Sequence, residues 1–221
     1  MRRLLIFLKE PTPGQVKTRL ATIVGDEASS ALYRACIELA LERLAGFRRE
    51  SVVCVDPPEA VARLRASLGP GWAYEPQRGA HLGERLADAT ARAFDGGASQ
   101  VVIIGTDSPW VHAEDITAAF KALARADVVL GPTDDGGYYL IGLSRRTPAL
   151  FQGIAWSSPS VFADTHTKAR ALGLRVETLR AGYDLDHLAD VQRFIEDEYR
   201  KGQVPHAVQT IEALSQRRAA C

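Results

Sequence analysis

Three cations, Lys9, Lys17 and Arg19, lie close together in a segment that also holds Pro11, Pro13 and Gly14. Two prolines and a glycine give a shaped loop, and clustered Lys and Arg side chains suit phosphate groups. A surface turn with solvated charges is the alternative. The segment is not a P-loop, because Gly14 precedes Lys17 by three residues and neither GxxxxGK[ST] nor GxGxxG occurs. Asp107, in Gly105-Thr106-Asp107-Ser108-Pro109, follows the apolar run Val101–Ile104. A carboxylate there could cap a helix or stabilise a turn. Beside phosphates it would instead hold Mg²⁺ or Mn²⁺, ions that take one or two carboxylates and complete their shell with phosphate and water. Tyr183-Asp184-Leu185-Asp186-His187 supplies two more carboxylates at a spacing that points both the same way in extended backbone. Asp186 could equally cap the helix that follows.

Thr133-Asp134-Asp135-Gly136-Gly137-Tyr138-Tyr139 places Asp-Gly between apolar runs, a hairpin signal. Paired glycines also allow a ligand close to the backbone, with Asp134 or Asp135 reaching a hydroxyl or the metal. Gln77, Arg78 and Gly79 lead towards a helix start, where an anion or a base edge could sit. The five histidines, His81, His112, His166, His187 and His206, have no metal spacing and no paired nucleophile, which fits structural or solvated roles.

Loops of this kind need a rigid frame. Strand-like runs at 4–8, 51–55, 101–104, 128–130, 138–143 and 175–179 alternate with helical periodicity, the pattern of βα units and a mostly parallel sheet. In open α/β sheets, ligands bind beyond the carboxyl ends of strands, where the cationic loop and Asp107 both fall. Helices are expected from Asp26, as N-cap, to Gly46; from Leu82 to Gly96-Gly97; around Ile116–Leu123; from Ser158-Pro159 to Gly173; over Leu188–Ile195; and over 205–218. The stretch 57–77 reads as a helix over 59–67 and a short strand at 72–75.

The 221 residues carry 46% apolar and 24% charged side chains, an ordinary globular composition. They show no internal repeat or linker, so one domain is expected. Lys plus Arg equals Asp plus Glu at 27 each, which leaves no overall field to draw the chain onto nucleic acid or a membrane. The apolar run after Arg2-Arg3 is too short for a signal peptide or a membrane span. Cys36, Cys54 and Cys221 are too scattered for a disulfide framework or a zinc site. A cytoplasmic location is expected.

The sequence resembles the nucleotide-diphospho-sugar transferase superfamily, with the glycosyltransferase type A fold. Within it, the chain is similar to a bacterial family of largely uncharacterised glycosyltransferase candidates related to 2-phospho-lactate guanylyltransferases. Four segments carry the likeness in order: Lys9-x-Pro11-x-Pro13-Gly14-x-Val16-Lys17-Thr18-Arg19-Leu20, Gly105-Thr106-Asp107-Ser108-Pro109, Asp135-Gly136-Gly137-Tyr138-Tyr139-Leu140-Ile141-Gly142, and Asp184-x-Asp186. The Gly-rich Gly-x-Ser/Thr-x-Arg-Met-Gly signature of molybdenum-cofactor and sugar nucleotidyltransferases is missing from the first loop.

The resemblance implies a three-layer αβα domain, Rossmann-like, with a mostly parallel mixed sheet. It implies a nucleotide over residues up to about 110, bound by Lys9, Pro13, Gly14, Lys17, Arg19, Gln77 and Gly79. A small-molecule acceptor would lie over about 111–200, against Asp134, Gly136, Gly137 and Tyr138. Asp107 would be the principal ligand of Mg²⁺ or Mn²⁺, with Asp184 and Asp186 as the second source of ligands. Lys17, Asp107 and Asp135 are the candidate catalytic residues. Nucleotidyl transfer from a nucleoside triphosphate, with pyrophosphate leaving, is the first expectation, because a triphosphate needs more neutralisation than a diphosphate. Glycosyl transfer from a nucleotide sugar, with Asp134 or Asp135 as base, is the second. A non-enzymatic nucleotide-binding module is the third, and it predicts loss of the carboxylates that are present here. A homodimer is compatible with all three.

Overall fold

Alternate side chains of the first strand enter opposite cores, and this decides the layering. The computed structural model describes residues 1–202 and 204–217. In β1 (Arg2–Lys9), Leu4, Ile6 and Leu8 face one apolar cluster while Leu5 and Phe7 face another. The same alternation divides β2 (Ser51–Asp56) and β4 (Gln100–Gly105), as expected of strands covered on both faces. With β3 (Ala73–Pro76), β5 (Val128–Pro132), β6 (Tyr138–Leu143) and β7 (Val176–Thr178) they form one seven-stranded sheet in the order β3-β2-β1-β4-β6-β5-β7. β6 runs antiparallel to β4 and β5, and the remaining pairings are parallel.

Helices cover both faces. One core receives α2 (Asp26–Arg43), α5 (Ala113–Ala122), α7 (Leu188–Lys201) and α8 (His206–Ser215), as well as the shorter α1 (Thr18–Val24) and α3 (Val61–Leu68). The other receives α4 (Leu82–Asp95) and α6 (Val161–Ala171). This is the expected three-layer α/β arrangement. After β1 the chain builds outward through β2 and β3, then crosses back to place β4 on the other side of β1. Such a reversal leaves a crevice between the carboxyl ends of β1 and β4, and both the cationic loop and Asp107 open into it.

Several boundaries differ from the sequence reading. The segment from Lys9 to Arg19, read as a loop, runs into α1, which starts at Thr18. Gly25, at φ 87°, ends α1 and serves as N-cap of α2, so Asp26 and Glu27 lie in the first turn instead of at the cap. α2 stops at Arg43, before Gly46. α6 starts at Val161 and not at Ser158-Pro159, because those residues form a separate turn whose Pro159 carbonyl lies against Gly136. His187, not Asp186, caps α7, and it does so with Asp190 in a capping box. Of the C-terminal helix expected over 205–218, the described part runs from His206 to Ser215; residue 218 and Cys221 lie outside the described residues. Cys36 and Cys54 are free and buried. No helix among the described residues is long and apolar enough to cross a membrane.

Candidate active site

At the crevice, a cleft of about 910 Å³ is walled by the β1 and β4 ends, the start of α1, the start of α4 and the segment at 184–186. Its electrostatic centre is Lys17. This residue adopts left-handed backbone (φ 49°, ψ 42°) at the N-cap of α1, which turns its side chain inward. The side chain is only 2% exposed. Its Nζ stands 2.5 Å from Asp107 Oδ1 and 3.0 Å from Asp186 Oδ1, while Arg19 reaches Asp186 Oδ2 at 3.2 Å. Burial works against the Lys17 ammonium, but Asp107 and Asp186 outweigh it and hold the proton firmly. Burial likewise opposes the charge on Asp186, yet Lys17 and then Arg19 bring its pKa below the usual carboxylate value.

Asp184 is the opposite case. Burial raises its pKa from 3.8 to about 7, and the charge of Asp107 adds to the rise, while a hydrogen bond from the Ser108 hydroxyl offsets only part. Desolvation of the buried carboxylate is the larger cause and the Asp107 charge the smaller.

Backbone and buried side chains set these groups in place. The Leu185 N–H donates to the Asp107 carbonyl at 2.9 Å, joining two loops that are far apart in sequence. Trp110 Nε1 donates to the Tyr183 carbonyl at 2.6 Å. The Tyr33 hydroxyl lies 2.9 Å from Thr106 Oγ1 and accepts from the Lys9 N–H at 3.1 Å, so α2 ties the ends of β1 and β4 together. Arg43 donates to the Pro109 carbonyl and to Glu198, whose side chain is 2% exposed. Tyr33, Trp110 and Arg43 did not stand out in the sequence, and Ser108 appeared there as part of the Asp107 segment with no role of its own. Tyr33 shares an apolar helix face with Leu32 and Cys36 and reads there as one more core residue.

The sequence-derived candidates divide into two sets. Lys9, Lys17, Arg19, Gln77, Asp107, Tyr138, Asp184 and Asp186 all line the cleft. Lys9 makes no ion pair among the described residues. The Gln77 amide donates to the carbonyls of Leu8 and Cys54, clasping the ends of β1 and β2. The Tyr138 hydroxyl is buried. The second set stands away from the cleft wall. Pro13 and Gly14 shape the turn before Lys17. Gly79 carries a carbonyl that accepts from Arg85. Asp134 pairs with Arg193 at 2.9 Å. Asp135 accepts from the Thr133 hydroxyl at 2.5 Å and from the Gly137 N–H at 3.0 Å, holding its own hairpin turn. At Gly136 the close approach comes from the chain itself: a Cβ there would lie 2.0 Å from the Pro159 carbonyl oxygen. Cleft-lining residues that sequence reasoning did not select include Gln15, Trp156 and Ser157.

Among the described residues, no group of three His, Cys, Asp or Glu side chains is arranged to hold a metal ion. Two hard carboxylates, Asp107 and the buried Asp184, do fit Mg²⁺ or Mn²⁺ of the kind that fills its shell with phosphate and water. Asp186 is turned to Lys17 and Arg19.

The family described as "Uncharacterized protein conserved in bacteria (DUF2064)" matches residues 40–158. The chain belongs to that family. It is 30% identical over 182 residues to phosphoenolpyruvate guanylyltransferase of Chloroflexus aggregans, covering 77% of this chain and 86% of the relative. It is also 30% identical over 181 residues to 3-phospho-D-glycerate guanylyltransferase of Phenylobacterium zucineum, covering 79% and 81%. Among solved structures, a candidate nucleotide-diphospho-sugar transferase from Desulfovibrio desulfuricans G20 superposes with a TM-score of 0.89 at 33% identity, over 97% of this chain and 96% of that one. The chain is thus a transferase of the nucleotide-diphospho-sugar transferase superfamily.

Proposed function

We propose that this transferase moves a nucleotidyl group from a nucleoside triphosphate to a small phosphorylated acid. The observation that carries the reading is the convergence of Lys9, Lys17 and Arg19 with Asp107 and Asp184 at the β1–β4 crevice, in a cleft wide enough for two substrates. The relatives named for phosphoenolpyruvate and 3-phospho-D-glycerate support a phosphorylated acid as acceptor. The nucleotide lies against the amino-terminal half, up to about residue 110, and the acceptor against the carboxyl-terminal half beside Tyr138.

In the reaction, an acceptor phosphate oxygen attacks the α-phosphorus, the bond from that phosphorus to the β-bridging oxygen breaks, and pyrophosphate leaves. Lys9, Lys17 and Arg19 offset charge on the triphosphate, which is where most of the catalytic effect of such sites arises. Asp107 and Asp184 would hold Mg²⁺ or Mn²⁺, which supplies further charge neutralisation at the phosphates. Glycosyl transfer is less well supported, because Asp134 and Asp135, its candidate bases, are engaged outside the cleft wall.

The test combines melting and product formation. In Mg²⁺, at least one nucleoside triphosphate should raise the melting temperature, by an amount that grows with ligand concentration. Adding phosphoenolpyruvate or 3-phosphoglycerate to that triphosphate should then release pyrophosphate. Stabilisation by nucleotide sugars alone, with no pyrophosphate from any triphosphate and acid pair, would overturn the reading.

A further inference from the structure

Lys17 has two claims on it. Its position at the start of α1 aims it at the crevice where phosphates would bind, yet its ammonium is spent on Asp107 and Asp186 at 2.5 and 3.0 Å. Asp186 would keep a partner if Lys17 left, because Arg19 lies 3.2 Å from its other oxygen. Asp107 makes no other ion pair among the described residues. Withdrawal of one ammonium therefore frees one carboxylate, and that carboxylate is the one best placed for a metal. A divalent ion bound to Asp107 would stand within a few ångströms of the buried Lys17 ammonium. The Asp107 side chain is 46% exposed, so solvent screens part of the repulsion, but at this separation the like charges still oppose each other.

We propose that Lys17 competes with divalent metal for Asp107, and that a bound polyphosphate decides the competition by drawing the ammonium onto itself. Metal and polyphosphate then enter together, and free metal is turned away. The inference rests on the metal part of the proposed function but not on the identity of the nucleotide or the acceptor. It extends Lys17 from a phosphate contact to the residue that couples the two ligands. Two of the three ammonium donors are already committed to carboxylates, so Lys17 can serve a polyphosphate fully only by leaving at least one of them.

The experiment titrates Mn²⁺ into the full chain and follows water-proton relaxation, which separates ion on the slowly tumbling protein from free ion and from ion on small chelators. The probes are Mn²⁺ alone and Mn²⁺ with inorganic tripolyphosphate, so no base preference enters. The variants are Lys17→Gly, which suits left-handed backbone, and Lys17→Met. Circular dichroism selects the variant that keeps the native fold. The wild-type chain should bind Mn²⁺ alone weakly and bind it well with tripolyphosphate. In the variant, Mn²⁺ alone should bind about tenfold more tightly than in the wild type, as expected from removing a neighbouring positive charge, and the gain from tripolyphosphate should shrink. If the folded variant binds Mn²⁺ alone no better than the wild type while the wild type still responds to tripolyphosphate, the competition is refuted and the metal reading survives. If no form binds Mn²⁺ under either condition, the metal reading falls and the competition with it.

Discussion

Asp184 and Asp186 are two residues apart and titrate in opposite directions. Asp186 has Lys17 and Arg19 to stabilise its charge, whereas Asp184 is buried and feels Asp107, effects that the Ser108 hydroxyl and the Lys17 charge offset only in part. A carboxyl raised from 3.8 to about 7 holds its proton in the folded chain across a range where the unfolded chain has lost it. The folded state then binds more protons than the unfolded state, so stability should fall as pH rises through this window. In metal chelator, the wild-type melting temperature should decline between these limits more steeply than that of Asp184→Asn, which carries no proton there. Parallel curves for the two proteins would show that Asp184 ionises normally. Asp107, Asp184 and the cationic loop could be picked out from sequence because charges beside apolar strands are conspicuous. The opposed behaviour of the two aspartates could not, since it depends on the burial of Asp184 beside Asp107 and on Lys17 and Arg19 reaching Asp186 from a distant segment.

Among the elements, the clearest dependency is the buried pair linking α2 to α7. Arg43 and Glu198 are 7% and 2% exposed, and Arg43 also holds the Pro109 carbonyl, two residues past Asp107. Removing Glu198 strands the Arg43 charge, whereas removing Arg43 leaves Glu198 the Lys201 ammonium at 2.7 Å. Glu198→Leu should destabilise the chain by about 3 kcal/mol, whereas replacing both by apolar residues, as Arg43→Met with Glu198→Leu, should recover most of the loss. Urea denaturation of both variants checks this, and equal stabilities would refute it. Strands β1 and β4 were readable because burial on both faces leaves near-continuous apolar runs. Helix α1 was not, because it is seven residues long and follows Pro11, Pro13 and Gly14, which read as loop. The start of α6 was misplaced for a related reason: Ser158-Pro159 has the composition of a helix start, but the packing of Pro159 on Gly136 is tertiary and leaves no local mark.

For the molecule as a whole, stability and the cleft reside in different places. Helix α8 packs on α2 and α7 with Val208 and Ile211 fully buried, and none of its residues lines the cleft. Ile211→Ala should therefore cost about 2–5 kcal/mol, the usual range for truncating a buried aliphatic side chain. Ligand-induced stabilisation at a fixed excess of ligand should stay unchanged; a matching loss of ligand response would show that α8 supports the site. Equal numbers of positive and negative residues agree with this division, since the concentrated charge is local to one crevice.

The bond from the Leu185 N–H to the Asp107 carbonyl uses no side-chain atom. The two loops that present the carboxylates therefore share a main-chain tie in addition to the side-chain ties from Trp110 and Ser108. Where a side chain makes no cross-loop bond, it can be exchanged, by drift or by an engineer seeking a different acceptor, with that main-chain tie left in place. Such a frame is a place where new specificities can be tried at little risk to folding.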